Sequence, residues 1–227
     1  MSKEHVKIFS IEGNIGSGKS TLVSQLKSNM NSISSEDIEN NSDKIFYLAE
    51  PVDIWESIKD EDGKNIIEKF YADQKKYAFS FQLMAYVSRL HELKKAIQSG
   101  NKIIICERSI YTDKNVFAKM LFDNKNIEKV NYEIYLKWFD EFTNDIPKIN
   151  YIYVKTSPEK CYERVIKRNR KGETIPLEYL KLCGDYHDNW ILNTEFHETL
   201  VLDGNIEYTE RAPDYWFSAI LEFIRSV

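Results

Sequence analysis

Short apolar runs alternate with longer amphipathic segments along most of the chain. The runs with the length and composition of β-strands are residues 6–11, 44–49, 102–106, 151–154 and 199–202. Helical spacing fills the stretches between them, at 20–29, 73–99, 111–122, 128–144, 158–168, 176–195 and 211–226. Strands that alternate with helices predict an α/β fold, a five-stranded parallel sheet flanked by helices on both faces.

Turn signals punctuate this pattern. Two further short helices are predicted within 53–71 around Gly63, and Gly100 follows the longest helix, where glycine commonly ends a helix. Residues 30–44 are rich in Asn and Ser and predict a polar surface loop. Since neither a repeat nor a long linker divides the chain, we expect a single domain over residues 1–227.

Charge and composition narrow the function classes. The chain has 31 Lys+Arg and 36 Asp+Glu, a net charge of −5, which argues against a partner that is nucleic acid or an anionic membrane. No apolar run approaches the length that spans a bilayer. Cys106, Cys161 and Cys183 are widely spaced, so we expect reduced thiols rather than a zinc site. The first strand begins almost at once, and we expect no targeting peptide and a cytoplasmic protein.

A glycine-rich turn between the first strand and the first helix carries the strongest signal. It fits the phosphate-binding pattern G-x-x-x-x-G-K-[ST] and reads Gly13-Asn14-Ile15-Gly16-Ser17-Gly18-Lys19-Ser20. Glycines let backbone N–H groups turn toward phosphate oxygens, and the helix N-terminus adds its positive end. Lys19 can reach the β- and γ-phosphates, and Ser20 can bind Mg²⁺. The pattern predicts an ATP or GTP site and leaves the reaction open.

Charged side chains follow two other strands. The carboxyl ends of parallel strands meet at the rim where ligands bind. Glu50, after the second strand, could accept the proton of a substrate hydroxyl or could cap the next helix. Glu107 and Arg108, after the third strand, could hold Mg²⁺ and face the reacting oxygens, or could form a structural ion pair.

One stripe of the long helix differs from an ordinary solvated face, which is usually richer in Lys and Glu. Its members, at helical spacing, are Ala78, Gln82, Ala85 and Arg89. The amide of Gln82 both donates and accepts hydrogen bonds, so it suits the edge of a nucleobase.

Basic residues cluster at 160–171. Arg164 and Arg168 share a helix face, and Arg170 follows them. The cluster could be a solvated helix end or a nucleic-acid patch. Beside a phosphate loop we favour a lid, about residues 164–176, that closes on the transferring phosphoryl group.

Taken together, these residues resemble the deoxynucleoside kinase family over about residues 6–205. The resemblance depends on several motifs in the same order: the phosphate loop, Glu50-Pro51-Val52 with Trp55, Phe81-Gln82, Glu107-Arg108-Ser109, and Arg164-x-x-x-Arg168-x-Arg170 followed by Ile175-Pro176-Leu177-Glu178-Tyr179. It implies a P-loop kinase fold with a short arginine-rich lid. It also implies transfer of the γ-phosphoryl of ATP, or of another nucleoside triphosphate, to the 5′-hydroxyl of a deoxynucleoside in nucleotide salvage, with Mg²⁺.

The resemblance assigns roles to the matching residues. Glu50 would be the catalytic base, Arg108 would hold the hydroxyl and the incoming phosphate, and Ser20 with Glu107 would hold Mg²⁺. The implied donor-binding set is Gly13, Asn14, Ile15, Gly16, Ser17, Gly18, Lys19, Ser20, Thr21, Arg164, Arg168 and Arg170. The implied nucleoside-binding set is Glu50, Trp55, Tyr71, Gln82, Ala85, Arg89, Arg108, Asp113, Phe117 and Glu173.

Two of these positions bear on the choice of base. Arg89 and Asp113 match an arginine–acid pair of deoxycytidine and deoxyguanosine kinases, whereas thymidine-using relatives have smaller or apolar residues there. Such a pair is bulky and polar where the 5-methyl of thymine would have to fit. We therefore expect Ala85, Arg89 and Asp113 to favour deoxycytidine and purine deoxynucleosides over thymidine.

Two other functions remain open at this point. A nucleoside monophosphate kinase, such as thymidylate kinase, shares the phosphate loop and a basic lid, and a non-catalytic ATP-binding partner protein needs only the loop. The family resemblance further implies a homodimer packed through residues 74–99 and 128–144. The second of these helices carries more apolar surface than one core face needs, in Tyr132, Tyr135, Leu136, Trp138, Phe139 and Phe142.

Overall fold

A parallel sheet forms the centre of the molecule. The computed structural model describes residues 6–33, 45–170, 173–193, 197–207 and 211–227. The strands in these ranges are β1 (Lys7–Glu12), β2 (Ile45–Leu48), β3 (Ile103–Glu107), β4 (Ile149–Lys155) and β5 (Thr199–Asp203). All are parallel, in the order β2-β3-β1-β4-β5. The predicted five-stranded parallel sheet and α/β class are confirmed.

Helices connect the strands and cover both faces of the sheet. They are α1 (Lys19–Ile33), α2 (Val52–Ser57), α3 (Ile66–Ala72), α4 (Gln74–Gln98), α5 (Ile110–Thr112), α6 (Lys119–Asp123), α7 (Lys129–Thr143), α8 (Pro158–Arg168), α9 (Leu177–Ile191) and α10 (Asp214–Ser226). No helix in the described ranges combines the length and apolarity that crossing a bilayer requires.

Hydrophobic clusters on the two sides of the sheet account for its stability. On one side, α1 and α10 pack on the sheet, with Trp216 fully buried among them. On the other side, the C-terminal half of α4 supplies Leu93 and Ala96 against β1, β3 and β4. Because both faces are covered, the inner strands are mostly apolar and almost fully buried, as expected for a parallel sheet.

Several element boundaries depart from the prediction. Helix α1 runs to Ile33, so the start of the predicted 30–44 loop is helical, and residues 34–44 lie outside the described residues. Helix α9 ends at Ile191, before the predicted end at 195; Leu192 and Asn193 form a turn, and residues 194 and 195 lie outside the described residues. Strand β4 is longer than the predicted 151–154, because Ile149 and Asn150 pair with β1.

The predicted helix 111–122 is interrupted by a π-helical turn. This turn, Asp113–Ala118, lies between α5 and α6. At its end the N–H of Lys119 donates to the carbonyl of Lys114, five residues earlier. A π-turn inserts one extra residue into a helix and cannot be read from apolar spacing. Its position matters because Asp113 and Phe117 both belong to it.

Candidate active site

A cavity of about 540 Å³ opens beside the carboxyl ends of β1, β2 and β3. This is the rim where ligands bind in open α/β sheets. Its walls come from the phosphate loop, α3, α4, the π-turn and the basic end of α8. The predicted residues in the wall are Ile15, Gly16, Gly18, Lys19, Ser20, Thr21, Glu50, Trp55, Tyr71, Gln82, Ala85, Arg89, Glu107, Arg108, Asp113, Phe117, Arg164, Arg168, Arg170 and Glu173.

The phosphate loop has the tight geometry that its glycines predict. Gly16 has a φ of +83°, and a Cβ there would lie 2.5 Å from the carbonyl oxygen of Cys161 on α8. Lys19 is buried, and its Nζ donates to the carbonyl of Asn14 at 2.7 Å. Burial, together with the nearby positive charge of Arg108, lowers the pKa of Lys19 to about 7.

Three residues of the predicted donor set do not line the cavity. Gly13 lies against β4, where a Cβ would stand 2.6 Å from the carbonyl oxygen of Val154. Ser17 is fully buried. The amide of Asn14 faces away, donating to the carbonyl of Leu180 on α9 at 2.7 Å and accepting from the Ile15 N–H at 2.8 Å. These three residues pack against neighbouring parts of the chain rather than facing the cavity.

The two oxygen donors predicted for Mg²⁺ lie together at the start of α1. The hydroxyl of Ser20 donates to Oε1 of Glu107 at 2.5 Å, and Glu107 is 6% exposed. A hydroxyl and a carboxylate beside a phosphate loop suit Mg²⁺, which usually completes its shell with water and phosphate oxygens. The donor set therefore fits the ion.

Glu50 is held by two arginines. Its Oε1 lies 2.6 Å from Nη1 of Arg108 and 3.2 Å from Nη2 of Arg89. Burial opposes the charge on Glu50, but Arg108, Arg89 and Lys19 outweigh it and lower its pKa to about 2. Helix α2 has no side-chain cap, so the alternative that Glu50 caps it is wrong.

Arg108 occupies an unusual backbone conformation at the end of β3. Its φ is +60°, in the left-handed region that non-glycine residues rarely adopt. Its guanidinium lies 5.3 Å from the ring centroid of Phe117 and pairs with Glu50 rather than with its neighbour Glu107. The alternative of a structural pair between Glu107 and Arg108 therefore fails.

The stripe predicted on α4 faces inward. Gln82, Ala85 and Arg89 line the cavity, whereas Ala78 belongs to the helical core. The Nε of Arg89 lies 3.0 Å from Oδ2 of Asp113, and both side chains are almost fully buried. Burial raises the pKa of Asp113 to about 6, and Arg89 opposes that rise. The predicted pair is present.

Aromatic rings complete the wall beside this pair. Trp55 donates from Nε1 to the hydroxyl of Ser88 at 2.9 Å and meets Phe81 edge to face. The Oε1 of Gln82 is buried and has no hydrogen-bond partner among the residues that the structure describes. A buried, unpaired amide oxygen is costly, so this atom is available for a bound donor group.

The basic end of α8 has two different arrangements. Arg164 donates to the carbonyls of Ser17, Gly204 and Ile206, so it ties the phosphate loop to the turn after β5. Arg168 instead pairs with Glu173 at 2.5 Å, and both line the cavity. Arg164 is therefore part of a packed contact, whereas Arg168 is exposed and paired. Residues 171 and 172 of the predicted lid lie outside the described residues.

Comparison with known proteins adds the reaction. The model of the deoxynucleoside kinase family matches residues 9–224, nearly the whole chain. The chain belongs to the deoxynucleoside kinase family. It is 36% identical to a probable deoxycytidine kinase of fowlpox virus, over 86% of this chain and 75% of the relative. It is 30% identical to deoxycytidine kinase 2 of Gallus gallus, over 99% of this chain and 92% of the relative. It is 29% identical to a mitochondrial deoxyguanosine kinase of Xenopus laevis, over 82% of this chain and 73% of the relative.

The protein is thus an enzyme that phosphorylates deoxynucleosides with a nucleoside triphosphate as donor. This result decides against the two alternatives, a nucleoside monophosphate kinase and a non-catalytic ATP-binding protein.

Sequence reasoning missed several wall residues of this deoxynucleoside kinase. Phe81 and Tyr179 belong to motifs that carry the family resemblance, yet neither was assigned to the site. The others are Ile67, Phe70 and Lys167. Phe81 packs against both Trp55 and Phe70. Its place directly before Gln82 in the same motif is the sequence signal that could have assigned it to the site. No pattern in the sequence distinguishes Phe70 from the core aromatics around it.

Proposed function

We propose that this deoxynucleoside kinase transfers the γ-phosphoryl of ATP to the 5′-hydroxyl of deoxycytidine and purine deoxynucleosides in preference to thymidine. The observation that carries the preference is the buried contact between Arg89 and Asp113, which lies in the cavity wall with Gln82. The resulting products are a deoxynucleoside monophosphate and ADP.

The donor phosphates would lie on the backbone of residues 13–20, at the N-terminus of α1. Lys19 supports this assignment because it is buried beside the loop and its charge would be stabilised by phosphate. Ser20 and Glu107 would hold Mg²⁺, which supplies positive charge to the phosphates when bound. Arg168 and Arg170 also line the cavity and would neutralise the transferring group.

The acceptor hydroxyl would lie against Glu50. Its carboxylate is ionised at neutral pH, so it can accept the hydroxyl proton as the bond to phosphorus forms. Arg108 stands 2.6 Å from the same carboxylate and would bind the oxygens of the incoming phosphoryl group. Because phosphoryl transfer needs little covalent chemistry from a protein, positioning and charge carry the catalysis.

The nucleobase would lie between the aromatic rings and the polar end of the cavity. Gln82 offers an amide oxygen that no described part of the chain satisfies, and Asp113 offers a carboxylate that accepts from amino groups. Cytosine and adenine carry an exocyclic amino group, whereas thymine carries a methyl group. Desolvating Arg89 and Asp113 against that methyl group would be unfavourable.

A phosphorylation panel tests the proposal. ATP is supplied with each of the four deoxynucleosides and, in parallel, with deoxycytidine monophosphate and thymidine monophosphate. A second series with the same deoxynucleosides uses GTP in place of ATP. We expect the highest kcat/KM with deoxycytidine or a purine deoxynucleoside, and no turnover of the monophosphates. Thymidine as the best substrate would contradict the proposed base preference, while GTP as a much better donor than ATP would contradict the donor assignment.

We also propose a homodimer formed by one face of α7. Its exposed stripe consists of Val130, Ile134, Trp138 and Phe142, at four-residue spacing. The rings of Trp138 and Phe142 stack at 5.4 Å, and Val87 on α4 is exposed as well. Tyr132, Tyr135 and Phe139 of the predicted set are buried in the core instead. A cytoplasmic location remains a prediction.

A further inference from the structure

A buried carboxylate outside the cavity connects three parts of the site. Glu12 is the last residue of β1 and directly precedes the phosphate loop. It is fully buried and does not line the cavity. In the described part of the chain, no Lys, Arg or His forms an ion pair with it. A buried charge without a cationic partner is costly unless hydrogen bonds satisfy it.

The hydrogen bonds of Glu12 reach across to the segment after β3. Its Oε1 accepts from the backbone N–H of Ser109 at 2.9 Å, and its Oε2 accepts from the hydroxyl of Thr112. The hydroxyl of Ser10, on the same strand, donates to Oε1 at 2.7 Å. The two oxygens therefore bind the segment at two points, three residues apart.

Each of those two points is adjacent in the chain to a residue that contacts the reactants in the proposed function. Ser109 directly follows Arg108, whose φ of +60° is uncommon for a residue with a side chain. Thr112 directly precedes Asp113, where the π-turn begins. Ser109 is the residue immediately before α5, and its backbone N–H donates to the Glu12 carboxylate.

We infer that Glu12 is a positioning residue that sets the separation between the phosphate loop and the acceptor side of the site. Glu12 acts through its two hydrogen-bonded partners. Arg108 directly precedes the first partner, Ser109, and Asp113 directly follows the second, Thr112. The inference rests on the proposed roles of those two residues. Since a displacement of about 1 Å in a catalytic site can reduce turnover about 100-fold, a rigid connection of this kind has kinetic consequences.

Four variants of the full chain test this inference, with kcat, the KM of ATP and of deoxycytidine, and the thermal unfolding midpoint as readouts. We expect Glu12→Ala to reduce kcat about 100-fold and Thr112→Val about tenfold, with both KM values within about threefold. Glu12→Gln keeps the shape and an acceptor for the Ser109 N–H, so it should recover most of kcat. Ser10→Ala removes a bond that lies within β1, and its kcat should stay within about twofold of the unaltered enzyme.

Each alternative outcome contradicts the inference in its own way. A Glu12→Ala enzyme that unfolds at a lower temperature but keeps kcat would make Glu12 purely structural. An equal loss in Glu12→Gln and Glu12→Ala would show that an acceptor for the Ser109 N–H does not restore kcat, which contradicts positioning through that hydrogen bond. If Glu12→Ala does not fold, Thr112→Val and Ser10→Ala decide, and equal kcat in those two variants overturns the inference. Arg108→Ala is assayed alongside, because its retained turnover would contradict the proposed function instead.

Discussion

Arg89 contacts Glu50 directly, with 3.2 Å between Nη2 and Oε1. The same guanidinium lies 3.0 Å from Asp113 through Nε, and donates from Nη1 to the carbonyl of Glu107 at 2.9 Å. One side chain thus joins the acid proposed to face the nucleobase to the carboxylate proposed to accept the proton. A substitution that alters base preference should therefore also alter turnover.

The double variant Arg89→Met with Asp113→Ala tests this connection. We expect it to gain thymidine phosphorylation, because the polar pair no longer occupies the space of the 5-methyl group. We also expect a lower kcat with deoxycytidine, because Glu50 loses one of its two arginine contacts. Steady-state kinetics with both nucleosides measure the two effects.

The single variant Arg89→Met is the matched comparison. It leaves Asp113 buried and unpaired, so the free energy of unfolding should fall by about 3–5 kcal/mol. The double variant should lose less, since it removes both charges. A folded double variant without thymidine activity would count against this account of selectivity.

Glu50→Gln tests the proposed base. The amide keeps the shape of the side chain but cannot accept the hydroxyl proton, so kcat should fall by about 10²- to 10⁴-fold. Deoxynucleoside binding, measured by calorimetry, should change little. Glu56→Gln, at an exposed carboxylate on α2, is the control and should behave like the unaltered enzyme. Turnover within about tenfold would mean that Glu50 is not the essential base.

Lys19 should take up a proton when the donor binds. Its pKa in the free enzyme is about 7, so at pH 8 most of the Lys19 amines are neutral. Phosphate favours the charged form and raises the pKa again, so ATP binding at pH 8 should consume most of one proton, and binding at pH 6 almost none. Titration calorimetry in two buffers of different ionisation enthalpy measures this uptake.

Lys19→Arg provides the control for that measurement. Its guanidinium stays charged at both pH values, so the proton uptake at pH 8 should disappear. Binding of ATP to the unaltered enzyme without any uptake at pH 8 would show that Lys19 is already charged in the free protein.

Arg168→Ala should impair the donor side of the reaction. The variant removes a charge that faces the cavity. It also removes the ion pair in which Nη2 of Arg168 lies 2.5 Å from Oε2 of Glu173. We expect kcat to fall at least about tenfold and the KM of ATP to rise. Arg225→Ala, at an exposed arginine near the end of α10, should have no effect. Unchanged kinetics in Arg168→Ala would contradict the lid role.

The proposed dimer can be disrupted without touching the core. Ile134→Glu with Trp138→Glu places two charges on the exposed stripe of α7, where each native side chain is more than 40% exposed. Light scattering should show a dimer for the unaltered enzyme and a monomer for this variant, with similar circular dichroism. Tyr215→Glu, on α10, should remain dimeric. A monomeric unaltered enzyme would contradict the proposal.

Local patterns were sufficient for much of the fold. Five strands and most helix positions follow from apolar periodicity, because burial on a parallel sheet demands continuous apolar runs. The phosphate loop can likewise be predicted from a short stretch of sequence. Gly16 has a positive φ and lies close to the backbone of α8, and both features require glycine. The π-turn at Asp113–Ala118 was not predicted, because a single π-helical turn contains the same residue types as an α-helix and changes the apolar spacing very little.

The amino-acid sequence by itself determined the class of the sheet, the phosphate loop and which charged residues stand at strand ends. Only the tertiary structure decided how those charges are paired. Glu50 bonds to two arginines from different elements, and Glu12 bonds to a segment almost a hundred residues away. The physical reason is that burial makes unpaired charges costly, and the partners that satisfy them are chosen by the folded geometry rather than by sequence spacing.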